Sequence, residues 1–138
     1  MAYWLIKSEP EAFSWNEQVR NDIEPWTGVR NYQARNNLAA MKTDDLAFFY
    51  HSVSEKQIVG VVRVVKEAYP DPTADDPRWV CVDVKANGAF TTPVTLAQIK
   101  ADPALEEMAL LRQSRLSVAP VTEQEFRHLT KIGGWVRA

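Results

Sequence analysis

The hydrophobic and polar positions of the chain alternate with two different periods, which separate predicted strands from predicted helices. Five apolar or β-branched runs have strand length and are bounded by turn residues. The predicted strands are residues 2–7, 46–52, 57–69, 78–86 and 115–121. The second and third predict a hairpin, and Pro120 predicts an edge position for the last strand.

Helix starts are indicated by a recurring capping pattern. In three places a Ser or Thr is followed three residues later by Glu or Gln, as in a capping box. These pairs are Ser14 with Glu17, Thr95 with Gln98, and Thr122 with Glu125. A fourth helix is predicted from Asn31, because Ala34, Leu38 and Met41 fall at i, i+4 and i+7 and form one apolar stripe.

The order of these segments favours an α+β fold. Strands and helices are mixed without regular β-α-β alternation, which predicts one curved, mainly antiparallel sheet or small barrel with packed helices. The last predicted helix should bury one apolar stripe, formed by Phe126, Leu129 and Ile132, and a Gly pair ends it. A glycine inside the third predicted strand, Gly60, indicates a bulge or a close approach by other atoms. We expect a single domain over residues 1–138.

Charge is distributed unevenly along the chain. The net charge is −2, which argues against a polyanion binder that works by bulk electrostatics. Residues 30–66 carry six positive and three negative charges, and residues 109–138 carry five and two. If these two basic blocks meet in space, the protein has a positively biased face. Residues 26–43, which overlap the first of these blocks, contain no Asp or Glu at all.

Common catalytic and metal-binding patterns are absent from the sequence. There is no phosphate-binding Gly-rich loop and no nucleophile elbow, and the only histidines are His51 and His128. The single cysteine, Cys81, excludes an intrachain disulfide and indicates a reducing, cytosolic setting. We expect no signal peptide, membrane segment, metal or cofactor. A monomer is favoured, although the sequence does not decide the oligomeric state.

The residues that remain are suited to binding. Trp and Tyr rings can stack on bases, amides and hydroxyls can contact base edges, and Arg and Lys can contact phosphates. The segment from Trp26 to Met41 concentrates these residue types. On composition alone, its polar positions are more typical of the solvated face of an ordinary helix. Trp26 itself, between Pro25 and Gly28, could line a pocket or simply plug a loop onto the core.

Five ordered motifs carry a resemblance to a known family. They are YWLIKSEP at residues 3–10, WTGVRNYQARN at 26–36, FFYHS at 48–52, VVKEAYPD at 64–71 and RLSVAPVT at 115–122. Together they resemble the EVE domain. This resemblance implies a PUA-like, mainly antiparallel β-barrel of about five or six strands with flanking helices. It also implies a nucleic-acid reader that recognises a modified base, C5-modified cytosine in DNA or a modified base in RNA.

A weaker similarity to YTH domains implies where the pocket lies. IKS at residues 6–8, PWTG at 25–28 and RQSRL at 112–116 correspond to YTH motifs. By this resemblance Trp26 is the stacking platform. Residues implied to line the pocket or contact the base edge are Lys7, Ser8, Glu9, Asn31, Tyr32, His51 and Ser52. Residues implied to meet phosphates are Arg30, Arg35, Arg112 and Arg115.

The chain departs from these families in two places. Asp44 stands in the turn after the helix where Gly is expected. The second aromatic wall of the YTH cage has no clear counterpart, and Tyr32, Trp79 and Phe90 are the candidates. Two other functions stay open. One is an enzyme acting on a modified nucleotide or base, with Ser8, Glu9 and His51 as its polar centre. The other is a domain whose exposed aromatic residues bind a peptide.

Overall fold

The computed structural model describes residues 1–137 of the 138-residue chain. Its strands are β1 (Tyr3–Ser8), β2 (Ile23–Pro25), β3 (Leu46–His51), β4 (Gln57–Pro70), β5 (Val80–Thr95) and β6 (Val118–Val121). Its helices are α1 (Trp15–Asn21), α2 (Tyr32–Ala40), α3 (Leu96–Ala101), α4 (Ala109–Arg112) and α5 (Glu123–Gly133), with a 3₁₀ helix at Pro103–Leu105.

The strands form one open sheet in the order β2-β5-β4-β3-β1-β6. Only β1 and β3 run parallel among the paired strands of residues 1–137. The predicted α+β class, the mainly antiparallel pairing and the β3–β4 hairpin are confirmed. The sheet is open rather than closed into a barrel, because β2 and β6 lie at opposite edges. Pro120 lies in the edge strand β6, as predicted.

Both faces of the sheet are covered, so the structure has two cores. Side chains alternate along a strand, so that Ile6 and Phe49 enter one core while Leu5 and Phe48 enter the other. Helices α1 and α2 cover the first face, and α3 and α5 cover the second. All six residues of β3 are buried for this reason. A strand buried on both faces reads as a continuous apolar run.

The predicted capping signals are confirmed. Complete capping boxes begin α1, α3 and α5. Asn31 is the N-cap of α2, where its side-chain oxygen accepts a hydrogen bond from the Ala34 amide at 3.0 Å. The α2 stripe Ala34, Leu38 and Met41 is buried. Gly134 ends α5 in the left-handed conformation, with φ of 62°.

Two predictions about strand and helix detail are wrong. Strand β5 continues to Thr95 instead of ending at residue 86, because Gly88 takes a φ of 115° at a register shift against β4. Ile132 is 42% exposed instead of buried, and the following Gly133 packs on the ring of Phe90 in its place. The close approach predicted at Gly60 is confirmed, since a Cβ there would lie 2.5 Å from the Trp15 ring.

Candidate functional site

A cavity of about 460 Å³ lies between the end of β1 and the loop that joins β2 to α2. Its volume is within the usual range of small-molecule and base pockets. Five of the residues proposed from sequence line it together: Lys7, Ser8, Glu9, Trp26 and Arg30. The tertiary structure therefore brings the first strand and the acid-free loop to one place. We call this space the aromatic cavity.

Two aromatic rings form a corner of the aromatic cavity. The backbone amide of Trp26 donates to the Val82 carbonyl at 2.7 Å, which extends the β2–β5 pairing and fixes the indole. The indole packs edge-on against Phe49, with ring centroids 5.5 Å apart, and against Phe13 at 6.0 Å. Trp26 is only 9% exposed. The indole thus both anchors the loop by packing against the core and lines the cavity.

Phe13 is the second aromatic wall, and sequence reasoning missed it. The side chain is partly buried and lines the cavity beside Trp26. Its only sequence signal is an aromatic residue directly before the capping box at Ser14. The candidates named from sequence lie elsewhere. Tyr32 and Trp79 pack on each other at 5.0 Å, and Phe90 is buried in the core on the other face of the sheet.

A buried carboxylate fixes the loop that carries Trp26. Asp71 accepts hydrogen bonds from the Gly28 amide at 2.8 Å and from the Arg30 guanidinium at 3.0 Å. The Thr73 hydroxyl donates to its other oxygen at 2.6 Å. Burial alone would raise the pKa of Asp71, but these hydrogen bonds together with one from the Thr73 amide lower it to about 2. Gly28 completes the turn with a φ of 87°.

The polar side of the aromatic cavity carries both signs of charge. Lys7 donates to the Ser114 carbonyl at 2.7 Å, and its partial burial lowers its pKa. The hydroxyl of Ser8 donates to the Phe13 carbonyl at 2.5 Å. Two carboxylates, Glu9 and Glu24, also line the cavity. These acids make the interior a poor site for phosphate and a good site for hydrogen-bond donors.

His51 lies outside the aromatic cavity and holds α1 in place. Its Nε2 accepts from the Trp15 amide at 3.0 Å, so the ring proton lies on Nδ1, which is 2.7 Å from the Glu55 carboxylate. Ser8 faces His51 in the parallel β1–β3 register, but its hydroxyl is bonded to Phe13. The structure therefore does not form the Ser8–His51 pair that the enzyme hypothesis needs.

The other residues proposed from sequence are dispersed. Asn31 and Arg115 line a second cavity of about 350 Å³, and Ser52 and Arg115 line a third of about 570 Å³. Arg35 lies 5.6 Å from the ring of the exposed Tyr32. Arg112 is paired with Glu107 at 2.8 Å. Of these residues, Asn31, Tyr32 and Ser52 were implied to line the base pocket, and none of the three lines the aromatic cavity.

The structure also shows the surroundings of Asp44 and of the second histidine, His128. Asp44 takes a φ of 76°, so it occupies the left-handed conformation for which Gly was expected. His128 is partly exposed and hydrogen-bonded to Asp102 at 2.6 Å. In residues 1–137, no group of three or more His, Cys, Asp or Glu is placed to hold a metal ion. No helix in that range is long and apolar enough to cross a membrane.

Comparison with known proteins identifies the class of this fold. Residues 2–132 match the EVE domain model. Mouse thymocyte nuclear protein 1 is 39% identical over a match that covers 90% of this chain and 70% of that protein. The crystal structure of protein Atu2648 from Agrobacterium tumefaciens is 49% identical with a TM-score of 0.95, covering 97% of this chain and 94% of that one. The sheet, its packed helices and the cavity beside β1 therefore define a PUA-like domain, and the chain belongs to the EVE domain family.

One similar structure contains a nucleic acid. Human THYN1 was solved in complex with 5-methylcytosine-containing DNA. It is 35% identical to this chain with a TM-score of 0.89, and the match covers 96% of this chain and 98% of that one.

The cytosolic setting predicted from the single cysteine is wrong in light of the named relatives. The mouse, human and chicken proteins are called nuclear proteins. Cysteine usage cannot separate the two compartments, because disulfides are rare in cytosolic and nuclear proteins alike.

Proposed function

We propose that this protein is a reader of DNA that holds a C5-modified cytosine in the aromatic cavity. The observation that carries the proposal is the corner formed by Trp26 and Phe13 in a cavity that two carboxylates also line. The similarity to human THYN1, which was solved with 5-methylcytosine-containing DNA, supports this choice of ligand. The single-domain organisation expected from chain length is part of the same proposal.

The chemistry of the cavity suits cytosine. An extruded base is held by stacking on aromatic rings and by hydrogen bonds to its Watson–Crick edge. Cytosine presents an exocyclic amino group there, and carboxylates such as Glu9 and Glu24 accept from that group. A methyl group at C5 needs an apolar contact, which Pro25 and Val29 provide among the lining residues. Recognition of this kind assigns no reacting group to the protein.

Matched aromatic variants test the proposal. Trp26→Ala should lower affinity for a 5-methylcytosine duplex roughly 5- to 150-fold, because stacking one base contributes about 1–3 kcal/mol. Trp26→Phe keeps an aromatic ring in the core and should lose part of the preference for the methylated duplex. Tyr32→Ala is the control, since it removes an exposed ring outside the cavity. Circular dichroism would confirm that each variant is folded.

A comparison of ligands distinguishes DNA recognition from RNA recognition and from enzymatic activity. Binding is measured for DNA duplexes with cytosine, 5-methylcytosine and 5-hydroxymethylcytosine at one position, and for the matching RNA. Preference for a modified RNA over every DNA would replace DNA with RNA as the partner. Unchanged discrimination in a folded Trp26→Ala protein would refute the pocket. Turnover of a modified nucleoside would favour the enzyme hypothesis.

A further inference from the structure

The third cavity, of about 570 Å³, differs from the aromatic cavity in its charge. Four cationic side chains line it: Lys7, Lys56, Lys100 and Arg115. Neither Asp nor Glu lines it. Its floor is apolar and includes Leu96, Leu110 and Leu111. We call this space the lysine cavity.

The four cations of the lysine cavity make no ion pair within the described part of the chain. Within residues 1–137, none of them lies within 4.0 Å of a carboxylate. By contrast, Arg30 and Arg112 are both ion-paired. Like charges that face one cavity repel each other, and a bound polyanion relieves that repulsion. The unpaired set is therefore better placed to meet phosphates than the ion-paired Arg30 and Arg112.

Lys7 connects the lysine cavity to the aromatic cavity. Its side chain lines both spaces, and its ammonium group is anchored to the Ser114 carbonyl at 2.7 Å. Ser114 and Arg115 also line the second cavity, so the lysine cavity shares lining residues with both of the other spaces. A nucleotide whose base enters the aromatic cavity would keep its sugar and phosphate outside, near Lys7. The next phosphates along the strand would then enter the lysine cavity.

We propose that the lysine cavity binds the phosphodiester groups that flank the modified nucleotide, with Lys56, Lys100 and Arg115 as the phosphate contacts. This inference rests on the proposed function. Phosphate contacts hold the strand in register but do not read its bases. The lysine cavity therefore contributes affinity, while the aromatic cavity contributes the preference for the modified base.

The test compares two double variants of equal charge. Lys56→Gln with Lys100→Gln removes two cations from the lysine cavity, and both side chains are exposed. Lys42→Gln with Lys131→Gln is the control, because both are exposed and neither lines any of these cavities. Lys7 is left intact because it also lines the aromatic cavity. Affinity for methylated and unmethylated duplexes is measured from 50 to 400 mM salt, roughly the range in which counterion release is resolved.

The expected result is specific to phosphate contacts. The cavity variant should lose about tenfold in affinity per lost contact at 0.1 M salt, for both duplexes alike. Its plot of log affinity against log salt should be shallower by about 1.8, since each contact contributes about 0.9. The methylated-to-unmethylated preference should stay at the wild-type value. The control variant should show a much smaller change.

Three results would overturn the inference. Equal losses of DNA affinity in the cavity and control variants would show that the effect is general electrostatics. The reader function would still stand in that case if Trp26→Ala abolished the preference for the methylated duplex. Equal binding of an acidic peptide by the wild type, lost in the cavity variant, would assign the cavity to a protein partner. Failure of the wild type to bind any of the oligonucleotides would overturn both the inference and the proposed function.

Discussion

The carboxylate of Asp71 should control both the stability of the protein and the order of the Trp26 loop. It is fully buried as a side chain and is bonded to Gly28, Arg30 and Thr73. Its pKa is about 2 in the folded protein against an ordinary 3.8. Each pKa unit corresponds to about 1.4 kcal/mol, so ionised Asp71 stabilises the fold by about 2 kcal/mol.

The direction of the pH dependence follows from the lowered pKa. Above the ordinary pKa of 3.8 the carboxyl is ionised in both the folded and unfolded states, and its full contribution is present. Between pH 3.8 and about 2 the unfolded state takes up the proton first. The contribution of Asp71 is therefore lost progressively as the pH falls through this window.

The perturbation is Asp71→Asn, which keeps the shape and removes the charge. We expect the free energy of unfolding to fall by about 2–3 kcal/mol at pH 7, because the hydrogen bonds to a charged acceptor are lost. Urea denaturation at pH 7 and at pH 3 measures it. The difference between wild type and variant should be clearly smaller at pH 3. Affinity for the methylated duplex should also fall, because the loop is less ordered.

A control in the same loop separates this effect from general charge removal. Asp75→Asn neutralises an exposed carboxylate and should change stability by less than about 0.5 kcal/mol. Equal stabilities of wild type and Asp71→Asn at pH 7 would refute the reasoning. So would a large difference that is the same at pH 7 and pH 3, since that would indicate packing rather than ionisation.

Three further predictions follow from packing and burial. Gly60→Ala should lower the free energy of unfolding by about 1–3 kcal/mol, measured in urea, because the new methyl overlaps the Trp15 ring; an unchanged value would contradict the packing. His51→Ala should cost about 1–3 kcal/mol by leaving the Trp15 amide unpaired, yet keep the preference for methylated DNA in binding assays; loss of that preference would place His51 at the site. Cys81 should react with a thiol reagent only after unfolding, since burial raises the pKa of its thiol and blocks access; rapid labelling of the native protein would contradict this.

The features that sequence predicted best are local ones. The three capping boxes and the α2 stripe depend on residues three or four positions apart, so their geometry is fixed by the helix itself. The acid-free loop around Trp26 could also be found, because composition and motif are read along the chain. Lys7, Ser8, Glu9, Trp26 and Arg30 were named from sequence and meet at one cavity.

The features that sequence missed depend on contacts between distant residues. Phe13 and Asp71 gain their roles only when the β4–β5 connection and the turn before α1 fold against the Trp26 loop. His51 was predicted as a base contact, but its ring instead accepts a hydrogen bond from the Trp15 amide at the start of α1, a contact that only the fold reveals.

The sequence by itself thus determined most of the elements, the fold class and the loop that carries the aromatic platform, but it missed β2 and α4. Only the tertiary structure decided which cations remain unpaired. Arg30 and Lys56 are both positively charged residues in the sequence. Folding places Asp71 beside Arg30, whereas no carboxylate of residues 1–137 lies within ion-pair distance of Lys56. The available charge of a side chain depends on its neighbours in space, because salt screens the interaction between exposed charges beyond about 10 Å.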